Sequence, residues 1–111
     1  HQTQNEYLDK EMEFAMKFFN DNYRTEINIE EYATKRGMSV SWFIRNFREY
    51  TGLTPMQYII SIRVTNAQVL LETTKYPVAE IGHIVGYENP LYFSRIFHKQ
   101  TGYSPSRYRR E

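Results

Sequence analysis

The chain has 111 residues, no cysteine and a formal net charge of +1; that length fits one domain or two very small ones around a modest core, and the missing thiols exclude a disulfide framework and thiolate chemistry. No apolar run approaches the roughly 18 residues a membrane span needs and no charged-then-apolar leader opens the chain, so a cytoplasmic setting is expected, and the opening HQTQNEYL, without Met, reads as part of a longer protein. Charge is unevenly spread, with three bases against eight acids in residues 1–31 (−5) and eleven against five in residues 32–111 (+6), an asymmetry that suits an electrostatic footprint on the second part.

Helical periodicity first runs from about Asn5 to Asn22, with Leu8, Met12, Ala15 and Phe19 on one stripe. Phe14 and Phe18 lie beside it, which makes the apolar face wider than one core contact needs. In NIEEYATKRG, Asn28 can cap a short helix, Glu31 stands at the reciprocal capping-box position, and Gly37 can end the helix at positive φ. MSVSWFIRNFREYTG makes the next helix, capped by Ser39 or Ser41 and closed by Gly52, with Phe43, Phe47 and Tyr50 facing inward. Thr54 and Pro55, a hydroxyl cap and a first-turn proline, start a helix that runs to about Thr73, a rod of about 27 Å. Its apolar positions form two stripes, Ile59, Ile62 and Leu70 on one and Ile60, Val64, Ala67 and Leu71 on the other. After a break at Lys75, Tyr76 and Pro77, VAEIGHIVG gives a short helix, Asn89 and Pro90 start LYFSRIFHKQTG, and Ser104 and Pro105 start SPSRYRR. The expectation is an all-α chain of seven helices.

The chain writes one phrase twice: FREYTGLTPMQY from Phe47 to Tyr58 and FHKQTGYSPSRY from Phe97 to Tyr108, at an offset of fifty. Each copy ends a unit of short helix, tight turn and second helix. In the first, Ala33 and Gly37 sit four apart and Phe43 anchors the second helix; in the second, Gly82 and Gly86 take those places and Phe93 is the anchor, after a turn longer by one residue. This is the helix-turn-helix arrangement. One copy would be a moderate signal, whereas two copies joined by one long helix are far more specific. The organisation expected is residues 1–53 as an opening helix plus the first helix-turn-helix, 54–73 as connector, and 74–111 as the second helix-turn-helix.

These residues resemble the DNA-binding domain of the AraC-type (arabinose-regulator) transcription factors. The resemblance covers about Ile29 to Arg109 and is carried by IGHIVGYENPLYFSRIFHKQTGYSPSRYR and, in the connector, by Tyr58, Arg63, Val64, Ala67, Leu70 and Leu71. It implies a bihelical bacterial DNA-binding domain that inserts one helix of each half into adjacent major-groove segments of double-stranded promoter DNA. It also implies RNA polymerase and an effector- or ligand-sensing domain of the same chain as further partners, as for an activator. Pro90, Leu91, His98 and Gly82 depart from the usual family residues, and Gly82 implies a close packing approach in its helix.

With the phenylalanines inward, the base-reading candidates are Val40, Ser41, Ile44 and Arg45 on one helix and Pro90, Leu91, Ser94 and Arg95 on the other. Arginine's fork suits guanine O6 and N7, and the outward aliphatic groups of Val40, Ile44 and Leu91 suit thymine methyls, with a contact to another domain of the protein as the rival explanation. The plainer alternative for the arginines is a phosphate contact or an internal pair with Glu49 or Glu88. Phosphate candidates are Arg48, His98, Lys99 and Arg107, with the cap turns at Ser39, Thr54, Asn89 and Ser104. His1, His83 and His98 lack metal-ligand spacing, no phosphate-binding glycine loop is present, and neither a cofactor nor an enzyme activity is expected. The competing class is a helical protein-interaction module without sequence-specific DNA binding.

Overall fold

The structure, a computed structural model, describes residues 2–110, with side chains from residue 6. Its helices are α1 (Gln2–Asn22), α2 (Ile29–Lys35), α3 (Val40–Thr51), α4 (Pro55–Thr73), α5 (Val78–Ile84), α6 (Pro90–Thr101) and α7 (Pro105–Arg110). The described residues form no strand, and none of these helices is long and apolar enough to cross a membrane. The chain folds as two compact units, residues 1–22 with 27–59 and residues 23–26 with 60–111.

The first unit is built on rings. Met12, Ala15 and Phe19 of α1, Ala33 of α2 and Phe43 and Phe47 of α3 are fully buried, joined by Tyr32, Met38 and Ile59. Phe19 lies 5.6 Å from Phe47 and 5.5 Å from Tyr32, ring centre to ring centre, and Phe43 lies 5.4 Å from Tyr32. Each such pair contributes about 0.5–1.5 kcal/mol beyond its buried area. The wide apolar face of α1 has two explanations. Phe18 extends the core by packing on Tyr32 at 4.9 Å. Phe14 stays 47% exposed, with the Arg36 guanidinium 4.0 Å over its ring; Glu11 holds that guanidinium by two hydrogen bonds of 3.2 and 3.0 Å. Tyr50 departs from expectation. It is 38% exposed rather than inward, because its hydroxyl reaches out to donate to Glu13 at 2.7 Å.

In the second unit Val64, Ala67 and Leu71 of α4 pack with Ile81, Val85, Tyr87, Phe93 and Phe97, and Ile60, Leu70, Val78, Ile96 and Tyr108 pad the edge. Leu70 therefore joins this core, not a stripe with Ile59 and Ile62. Gly82 is buried, and a Cβ there would stand 2.7 Å from Phe93 Cδ2, which is the close approach the sequence implied. Arg63 supplies a contact that no periodicity announces. Its Nε donates to the Tyr23 carbonyl at 2.8 Å and a terminal N–H to the Thr25 carbonyl at 2.9 Å, while the guanidinium lies 4.9 Å over the Tyr87 ring. The segment 23–26 is thereby strapped to α4.

The duplicated phrase has duplicated bonds. Gly52 and Gly102, at φ 88° and 85°, close α3 and α6 and donate to Arg48 O and His98 O, each at 2.8 Å. Thr51 donates its hydroxyl to Phe47 O and accepts from Leu53 N; Thr101 does the same with Phe97 O and Tyr103 N. Pro55 and Pro105 are buried, Tyr58 meets Phe47 edge-on at 5.3 Å, and Tyr108 meets Phe97 at 5.5 Å. The repeat is structural punctuation in both units.

Candidate nucleic-acid interface

Each candidate reading helix is the second of a helix-turn-helix. In both turns the same backbone bond is made, Met38 N to Ala33 O at 2.9 Å and Tyr87 N to Gly82 O at 2.8 Å, and the second turn carries one more residue before its cap. Ser39, not Ser41, caps α3 by accepting from Trp42 N at 3.1 Å, which leaves the Ser41 side chain exposed. Asn89 caps α6 with one oxygen that accepts from both Leu91 N and Tyr92 N, at 2.9 and 3.0 Å. Phe43, Phe47, Phe93 and Phe97, all at 0% exposure, fix which face of each helix points away from its core.

On α3 that outward face carries Ser41, Ile44, Arg45 and Arg48, which line a shallow groove with Glu49 and Gly52; Val40 is half-buried at its start. On α6 Pro90, Leu91, Arg95, His98 and Lys99 are exposed and Ser94 is half-buried. Leu91 is 64% exposed, the highest value among the large apolar side chains of either unit. Arg45, Arg48, Arg95 and Lys99 enter no ion pair among the described residues, so neither Glu49 nor Glu88 neutralises the arginines. The first helix-turn-helix thus brings its candidates together on one face, and so does the second.

The cap turns divide in a way the sequence does not foresee. Thr54 and Gln57 form a reciprocal capping box, Gln57 N to Thr54 Oγ1 at 3.2 Å and Thr54 N to Gln57 Oε1 at 3.0 Å. Ser104 Oγ accepts from Arg107 N at 3.2 Å. In α6 the helix start offers an anion little, since Pro90 has no N–H and Asn89 occupies the next two; the Asn89 turn is a poor phosphate anchor for that reason. Glu31, expected to complete a capping box at Asn28, instead turns its carboxylate to Lys35 at 3.7 Å, while Asn28 alone accepts from Glu31 N at 2.9 Å. Sequence reasoning does not single out Tyr103. It is 43% exposed and shares a surface depression with His98, Ser104 and Arg107; an aromatic hydroxyl directly after the glycine that closes a reading helix is the signal that marks it. No group of three or more His, Cys, Asp or Glu among the described residues could hold a metal ion.

Residues 32–111 match the model of a helix-turn-helix domain family. The chain is 38% identical over 94 residues to the uncharacterized HTH-type transcriptional regulator YdiP of Escherichia coli (strain K12), covering 85% of this chain and 31% of that protein. It is 33% identical over 103 residues to the arabinose operon regulatory protein of the same strain, covering 92% of this chain and 35% of that protein. The chain thus spans about a third of these relatives' length. Among solved structures, the DNA-binding domain of AdpA, a global transcriptional factor in complex with a target DNA, aligns with a TM-score of 0.83 at 33% identity over 89% of each chain. The duplicated helix-turn-helix, the matched segment and these relatives agree: the chain belongs to the AraC-type family of helix-turn-helix domains.

Proposed function

We propose that the chain is the DNA-binding part of a bacterial, cytoplasmic transcriptional regulator and binds double-stranded promoter DNA sequence-specifically, α3 and α6 each entering a major-groove segment. The observation that carries this reading is the pair Arg45 and Arg95: one exposed arginine at the same place on each reading helix, opposite buried phenylalanines and without an ion pair among the described residues. Such a guanidinium is ready to donate two bonds to guanine O6 and N7. Ile44, Leu91 and, at the helix start, Val40 meet thymine methyls, and Ser41, Ser94 and Pro90 flank them. Arg48, His98, Lys99 and Arg107 hold phosphates, together with the turns at Ser39, Thr54 and Ser104. The connector helix, residues 54–73, joins the two reading segments in sequence.

The AdpA domain, solved with its target DNA, supports this reading by its likeness to the present chain. The chain spans only a third of the regulators it matches, which leaves room for the effector-sensing domain of the proposal, and RNA polymerase is its other partner. Selection of binding sites from random duplexes tests it. Two short preferred blocks about one duplex turn, roughly 34 Å, apart are expected, with affinity that falls steeply with salt as phosphates are neutralised. Salt-insensitive binding to a protein, and no preferred duplex, would favour the protein-interaction module instead.

A further inference from the structure

α3 and α6 correspond at the offset of fifty, so positions 41, 44 and 45 of one answer to 91, 94 and 95 of the other. Each triplet lies at i, i+3 and i+4 on one helix face. The last position is an exposed arginine in both. The other two are exchanged, because the first half has Ser41 and then Ile44 whereas the second has Leu91 and then Ser94. Both aliphatic groups are open to solvent, Ile44 at 36% and Leu91 at 64% exposure. Around Leu91 the backbone adds no donor: Pro90 lacks an N–H, and Asn89 Oδ1 takes those of Leu91 and Tyr92. The backbone at the tip of α6 therefore offers a groove no donor, and the exposed side chain of Leu91 there is apolar. The apolar feature on a major-groove edge is the 5-methyl group of thymine.

We propose that the two halves read the same pair of features, a guanine and a thymine methyl, in different registers. This rests on the DNA-binding reading above. Along the helix axis Ile44 and Arg45 differ by about 1.5 Å, and Leu91 and Arg95 by about 6 Å, against about 3.4 Å per nucleotide step. In the first half-site the methyl and the guanine fall on neighbouring base pairs; in the second they stand about two steps apart. The half-sites are then not copies of one another, although the helices that read them are duplicates.

Selected duplexes remade with deoxyuridine at each thymine in turn test this, since the change deletes only the 5-methyl group. One sensitive thymine per half-site is expected, each costing about fourfold in Kd, the worth of one buried methyl. Its distance from the guanine whose preference is lost in Arg45→Ala or Arg95→Ala is larger in the second half-site. Ile44→Ala abolishes the first sensitivity and Leu91→Ala the second, each leaving the other intact, with circular dichroism confirming the fold of both variants. Sequence-selective binding without uridine sensitivity, or with equal methyl-to-guanine distances in both half-sites, overturns the register proposal and leaves the DNA-binding reading standing. Failure to bind any duplex in a salt-dependent way overturns both.

Discussion

Gly82 and Phe93 share a space with no room for one more carbon. The missing methyl costs the helix about 0.5–1 kcal/mol in propensity, yet its presence would put a Cβ 2.7 Å from the ring of a fully buried phenylalanine. Gly82→Ala is expected to destabilise by about 1–3 kcal/mol, as overpacked cores do, and a lowered urea midpoint at unchanged slope would show it. A different residue contributes stability that alkaline pH removes. Burial, the largest influence, pushes the Tyr32 phenol up to about 12, from about 10 in the unfolded chain. The fold favours the neutral phenol, so this stability is intact below pH 10 and is lost as pH rises toward 12. The Tyr32 hydroxyl has no hydrogen-bond partner among the described residues, so Tyr32→Phe should cost little at neutral pH while flattening the fall in melting temperature between pH 10 and 12. At the reading face, Arg45→Ala should cost about 1–3 kcal/mol of binding and relax preference at a single base pair. An even loss over all sequences would mark Arg45 as a phosphate contact.

Helix boundaries are where sequence and structure agree most closely, because caps are local chemistry. Thr54 shows it: its hydroxyl and the Gln57 amide satisfy each other's backbone N–H groups. Thr54→Ala should cost about 0.5–2 kcal/mol in chemical denaturation, with α4 the helix affected. Asn28, Ser39, Gly52, Asn89 and Gly102 are legible in the same way, and the phenylalanine spacing in α3 and α6 tells which face is core. What escapes is long-range or shared. The strap from Arg63 to residues 23 and 25 joins positions about forty apart. The Arg109 bonds to the Leu71 and Thr74 carbonyls, which cover the end of α4, span nearly as far. Neither leaves a trace in any periodicity. Tyr50 misleads because spacing places a ring but not its hydroxyl, and here Glu13 draws the phenol outward and raises its pKa. At α6 the cap residue itself is legible, but its single oxygen serving two N–H groups depends on backbone geometry. The candidate reading residues follow from the buried rings opposite them, so their placement was the most accessible part of the site.

At the scale of the whole molecule the chain threads its units in alternation. It leaves the first after α1, visits the second at residues 23–26, returns for residues 27–59, and ends in the second from residue 60 onward. Residues 60–111 made alone would keep Arg63 but lose the Tyr23 and Thr25 carbonyls it bonds and the Tyr23 side chain that pads the core. That fragment should melt well below residues 23–111 in a thermal scan; equal melting temperatures would show the strap to be dispensable. The same threading bears on how the phrase came to be written twice. The duplicated helices can be aligned residue for residue, but no single cut of the chain yields two complete units. Recombination that exchanged one half for another would have to carry a four-residue piece from a distant part of the sequence. Substitution in place therefore changes one reading face without separating residues 23–26 from the unit they pack in.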